Sequence, residues 1–187
     1  MAATKVALSQ HGRTAQLGFS LIELMVVLAI LAVLTVIAMP AYESMMRHYE
    51  SHVVSRHLQE SIRRAKIEAV LHQQDVIICP VNHNGRCDRY GQSGLMVFVD
   101  KNRNNQQDDT DIVVMQQPLA LKYGTLSMRV SLARHYIKFM GDSAKPRGHI
   151  GSIYYCSERA ALSHQTVINM YGLVSVKQGN VKQLDCQ

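Results

Sequence analysis

From Phe19 to Met39 the chain carries one ionisable side chain, Glu23, in a run that is otherwise apolar or small. At ~1.5 Å rise per residue, a helix of that length crosses the ~30 Å hydrocarbon core of a bilayer. Every later element has to be compatible with it. A carboxylate at that depth costs about 2.5–3.5 kcal/mol on insertion scales, so it needs a cationic partner or a task. The nearest cation is the amino group that cutting after Gly18 would place on Phe19, one helical turn from Glu23. Within one chain the two could pair. Between neighbouring chains the same pair would set a stagger and drive assembly.

The arrangement resembles the type IV prepilin signal. A polar leader ends in Gly18, then Phe19-Ser20-Leu21-Ile22-Glu23 opens the apolar run. The resemblance implies that a prepilin peptidase cuts between Gly18 and Phe19 and methylates the Phe19 amine. Two other readings are a plain signal anchor with an incidental glutamate and a cleaved secretory signal. The latter would place its small residue after the apolar run, whereas Gly18 precedes it.

The 187 residues suffice for one ordinary domain plus a membrane helix. Residues 1–18 read as a removable leader, 19–39 as the membrane and assembly half of a helix, and 40–187 as the domain outside the membrane. The net charge is +6; setting aside Lys5, Arg13 and Glu23 leaves +5 for residues 40–187. That excess permits contact with nucleic acid or anionic surfaces without arguing for it. Lys5 and Arg13 precede the span, so the positive-inside rule puts the N-terminus in the cytoplasm and the domain in the periplasm, anchored in the inner membrane by a single pass. All four cysteines, Cys79, Cys87, Cys156 and Cys186, follow the span, which suits an oxidising compartment. Three pairings exist, and the sequence-local one, Cys79–Cys87 with Cys156–Cys186, is preferred. The C-x-x-C spacing of a zinc site is missing.

Helical periodicity continues past Pro40 through Tyr42, Met46, Tyr49, Val53, Leu58, Ile62, Ala65 and Ala69. This predicts one helix over about 19–73, kinked near Pro40, its second half amphipathic against a sheet. The period then shortens. Val76-Ile77-Ile78-Cys79 reads as a strand stopped by Pro80, and Asn82–Arg86 as a turn. Leu95–Val99, Ile112–Met115, weaker stretches near 125–130 and 135–139, Ile153–Cys156, and a hairpin of Thr166–Met170 with Leu173–Val176 complete the strands. The expected fold is α+β, a long N-terminal helix packed on antiparallel sheets.

The segment Ile62–Ala69 leading into Val76–Cys79, the strand Gly94–Asp100 with its Asn-rich loop, and the final strand pair resemble the GspH/FimT-like minor pilins and pseudopilins. Pro40 stands where pilin helices often carry a proline, which implies local melting on assembly. The resemblance implies other major or minor pilins as partners in a filament or tip complex, the prepilin peptidase and the inner membrane as earlier ones, and no cofactor. It also brings in DNA uptake, associated in FimT-like proteins with a Gly-Arg-x-Arg motif. The matching stretch here, Gly172-Leu173-Val174-Ser175, lacks both arginines. Lys145, Arg147, Arg159, Lys177 and Lys182 remain as candidate DNA contacts, with solvated surface charge as the preferred reading.

Catalysis finds no support. His48 and His52 are four apart, but Tyr49 stands where a zinc protease needs glutamate, and there is no G-x-S-x-G or P-loop. Asp100-Lys101-Asn102-Arg103-Asn104 with Asp111 imitates a calcium loop, yet Asn105 replaces the turn glycine and Asp111 the bidentate glutamate. A polar hairpin loop is the preferred reading, and no metal is expected. The reading is therefore a non-enzymatic minor pilin of a type IV pilus, structural, priming or in the tip complex. A DNA-binding FimT-like pilin and a type II secretion pseudopilin are the alternatives.

Overall fold

The computed structural model describes residues 20–179 and Cys186. Helix α1 spans Leu21–His72, with Pro40 inside it. The chain forms two compact units, divided after Tyr42.

In the first unit, every residue from Ser20 to Tyr42 is exposed. The helix is long and apolar enough to cross a membrane. Among the described residues nothing in this unit buries its leucines, valines and isoleucines, so their apolar surface is left for lipid or for other helices.

In the second unit, α1 buries Val54, Leu58, Ser61, Ile62, Ala65, Glu68 and Ala69, one stripe at three- and four-residue steps. Tyr42 and Tyr49 belong to the apolar series read from the sequence, but both are exposed. The buried stripe runs through Val54 rather than Val53, one position and ~100° away around the helix. Eight strands follow: β1 Val76–Val81, β2 Gly94–Val99, β3 Ile112–Pro118, β4 Gly124–Val130, β5 Ile137–Phe139, β6 Gly151–Ser157, β7 His164–Ile168 and β8 Val174–Gln178. They make two four-stranded antiparallel sheets, ordered β3-β2-β1-β5 and β4-β6-β7-β8. Short β-branched runs separated by turn residues fold this way because each strand can bury one face on a shared core. Here Ile78, Val97, Phe139, Leu126, Ile153 and Ile168 meet Leu58, Ile62 and Ala65 of the helix. A second, smaller cluster of Ile77, Cys79, Val81, Met96 and Phe98 lies on the other face of the first sheet.

Pro80 does not end β1, contrary to the sequence reading. It pairs with Leu95 of β2, and the strand runs on to Val81. On the other flank β5 reaches only to Ile78, and there the Pro80 carbonyl accepts the Asp88 N–H at 2.9 Å. A residue's N and C=O face the same side of a strand, so the missing proline donor falls where no β5 residue waits for it.

Cys79 is joined to Cys87 and Cys156 to Cys186, with Cα separations of 5.4 and 5.6 Å. The first bridge closes the turn in which the Asn82 side-chain oxygen accepts the Asn84 and Arg86 amides. Replacing Cys79 and Cys87 together by alanine should reduce the unfolding free energy by about 2–3 kcal/mol. Urea unfolding of the oxidised protein and the double variant measures it; equal midpoints would show that the bridge constrains nothing.

Candidate functional site

In the first unit the site is the start of α1. The Leu24 amide donates to the Ser20 carbonyl at 3.1 Å, so the helix is already formed where Glu23 sits. Glu23 is exposed amid Leu21, Ile22, Leu24 and Met25, all more than half exposed. Gly18 and Phe19, the expected cleavage pair, lie outside the described residues.

In the second unit one carboxylate of the helix, that of Glu50, holds two other segments of the chain. The Glu50 carboxylate accepts the Lys122 amide at 2.8 Å, the Tyr123 amide at 3.0 Å and the Tyr155 hydroxyl at 2.9 Å. It thereby fixes the segment before β4, and a fully buried tyrosine of β6, to the helix. Burial first, and the bond to Glu50 second, push the Tyr155 phenol well above its ordinary range, so its proton stays on. The signal was present: Glu50, Val54 and Leu58 follow at i, i+4, i+8 on one face. Beside them Arg47 pairs with Glu158 and lies over the Tyr123 ring, 4.8 Å from its centroid.

The candidate DNA contacts are not gathered. Arg159 donates to Ser44 at 3.1 Å. Lys145 and Arg147 lie in the loop near Gly172, whose carbonyl accepts Lys66 Nζ at 3.1 Å. Ser44 and Lys66 are ~33 Å apart along the helix at 1.5 Å per residue. Arg147 is paired with Asp142, whose carboxyl is held below its usual range first by the Ser143 hydroxyl and then by Arg147. Lys177 is opposite Gln165 on β8, and Lys182 lies outside the described residues.

The 100–111 loop spends its carboxylates on N–H donors. Asp100 accepts the Asn104 and Asn105 amides, each at 3.1 Å, and Asp111 accepts those of Lys101 and Asp108. Asp108 accepts from Thr110, Asn102 and Asn104, which hold it far below the normal carboxylate range. Burial raises Asp100 instead. Each of these oxygens is aimed at a donor of the loop itself, which is the architecture of a self-bonded polar hairpin. His48 Nδ1–H donates to Ser44 O at 2.8 Å, and His52 is exposed. Among the described residues no group of three His, Cys, Asp or Glu side chains converges as a metal site.

An exposed apolar helix interrupted by one carboxylate, together with a disulfide-bonded two-sheet domain, has the architecture of type IV pilins and pseudopilins. Residues 54–172 match the family of Type II transport protein GspH, to which the chain belongs. Residues 13–39 match the Prokaryotic N-terminal methylation motif. Among solved structures the chain is similar to the type IV minor pilin FimU of Pseudomonas aeruginosa in two crystal forms. One gives 11% identity over 74% of this chain and 90% of that one, at a TM-score of 0.47. The other gives 11% identity over 71% and 91%, at 0.45. No curated protein matches the sequence.

Proposed function

We propose that this chain is a minor subunit of a type IV pilus with a structural, priming or tip-complex role. It is made as a prepilin, cut between Gly18 and Phe19, and methylated on the new amine. It waits in the inner membrane with the cysteine-bearing domain in the periplasm. On assembly Glu23 pairs with the Phe19 amine of a neighbouring subunit. The observation that carries this reading is Glu23 itself, the single charged side chain of an apolar helix that its own unit leaves uncovered. An acid placed there is costly until a cation arrives, and pairing it with a neighbour turns that cost into a driving force for the correct stagger.

Glu23→Ala should leave removal of residues 1–18 intact by mass spectrometry and reduce the protein in sheared filaments about tenfold or more. Incorporation at the unaltered level would overturn the mechanism. The family match, named for type II transport, favours a pseudopilin as the second reading. Deletion separates the two: loss of twitching supports the pilus, and loss of protein export supports the secretion system. DNA uptake has less support, because Gly172–Ser175 lacks the arginines and the remaining cations are dispersed.

A further inference from the structure

Four strands border the two sheets, and three of them are closed or blunted. The outer side of β4 is bonded by Gln92, whose side chain bridges the Leu126 amide and carbonyl, and by the Arg89 carbonyl, which accepts Met128 N–H. β5 is three residues long. β3 is offset by a bulge at its pairing with Val97 and Phe98, and ends in Pro118. β8 has none of these protections. Gly179 N–H donates to Ser163 O, and Asn169 N–H to Leu173 O. By alternation, the backbone groups of Val174, Val176 and Gln178 face away from β7. Among the described residues no strand pairs with that side.

This open edge borders a groove of about 800 Å³ against α1. Its apolar lining is Val174 and Val176 from alternate positions of β8, and Ile62 and Ile67 from the helix. Its charged rim is Arg56, Arg63 and Lys66 against the single acid Glu60, which Arg63 already pairs at 2.8 Å. His57 Nδ1, on the same wall, is buried without a hydrogen-bond partner.

We propose that this groove takes an extended acidic segment of a partner protein, which adds to the sheet as a ninth strand along β8. The free backbone edge supplies the main-chain bonds. Alternate apolar side chains of the segment would rest on Val174 and Val176, and its carboxylates would face Arg56 and Lys66. The apolar floor and the lack of arginine on β8 favour a strand over a duplex, whose phosphates need closely spaced cations.

The test uses the full chain in detergent micelles and fluorescent octapeptides of alternating glutamate and valine or of alternating lysine and valine. Anisotropy should show the acidic peptide binding at micromolar concentration, about tenfold or more tighter than the basic one. Val176→Pro removes an outward N–H while the ladder to β7 stays complete, and should weaken the acidic peptide about tenfold or more. Arg56→Glu, an exposed change on the rim that leaves the sheet and the Lys66–Gly172 bond untouched, should do the same. Equal binding of the two peptides, no binding at millimolar peptide, or full affinity in a folded Val176→Pro variant would each overturn the proposal. So would a short DNA duplex that binds and is lost on charge reversal while the acidic peptide does not bind.

Discussion

Glu50→Ala should lower the thermal midpoint of the globular unit by about 6–12 °C. The substitution removes one carboxylate from a helix, a change that at a solvated position ordinarily costs well under 1 kcal/mol. Here it strands the Tyr123 amide and the hydroxyl of Tyr155, a side chain with no exposed surface. Each buried group left unpaired costs about 1–3 kcal/mol, whereas the Lys122 amide is near solvent and finds water. The sum is about 3 kcal/mol, and each kcal/mol moves the midpoint of a domain this size by about 2–4 °C. Glu50→Gln keeps an acceptor oxygen and should lose less than half as much. Tyr155→Phe in the Glu50→Ala background removes the stranded hydroxyl and should recover part of the loss, a coupling that a double-mutant cycle reads directly. A shift under 2 °C for Glu50→Ala would show that the carboxylate does not hold the sheet to the helix.

Acid should begin to destabilise the same unit above the carboxylate range. His164 is 2% exposed, its ring stacked on Tyr155 at 5.1 Å. Ser51 Oγ is 3.5 Å from its Nδ1, and His52 is the nearby like charge. Burial, which outweighs the Leu162 carbonyl, holds its pKa down to about 4. His149, buried beside Arg134 and Lys138, is also held down to about 4, burial again leading. The unfolded chain takes up these protons near the ordinary histidine value of 6.5, while the folded one refuses them until about 4. Between those values the unfolded state binds more protons, so stability is complete above about 6.5 and falls as the pH drops towards 4. For His164 alone the loss at the lower end is about 3 kcal/mol. Asp100, whose carboxyl burial raises, acts in the opposite sense, gaining stability as the pH falls towards the ordinary carboxylate value. Melting curves between pH 7 and 4 should show the decline, and His164→Phe should flatten it. An unchanged midpoint across that interval would mean that the histidines are protonated as readily folded as unfolded.

The parts of this protein legible in its sequence are those that local chemistry decides. The apolar run with Glu23 specifies a helix of membrane length, because no other backbone satisfies its own hydrogen bonds in hydrocarbon. The runs at Val76, Leu95 and Ile153 are strands because β-branched and aromatic side chains crowd them. What local chemistry does not decide was harder to see. Pro80 is tolerated because β5 ends at Ile78, a fact about a segment some sixty residues away. Glu50 sits among arginines and histidines and reads as solvated; only the phase it shares with Val54 and Leu58 marks it as inward-facing. The groove at β8 depends on which strand comes last in the sheet, and sheet order is a property of the whole fold. The basic residues were legible as residues but not as a group. Arg159 bonds Ser44 near one end of the domain's helix, while Lys145 and Arg147 lie by the Gly172 turn that Lys66 bonds near the other, a separation that periodicity along either segment does not convey.

The bridge between Cys156 and Cys186 encloses β7, β8 and the turn that joins them. A protease that nicks the exposed turn at Met170–Tyr171 would therefore release nothing. The two fragments would stay covalently joined and migrate as one species on a gel run without thiol. Only reduction would separate them, so a preparation damaged at that turn can pass for intact protein.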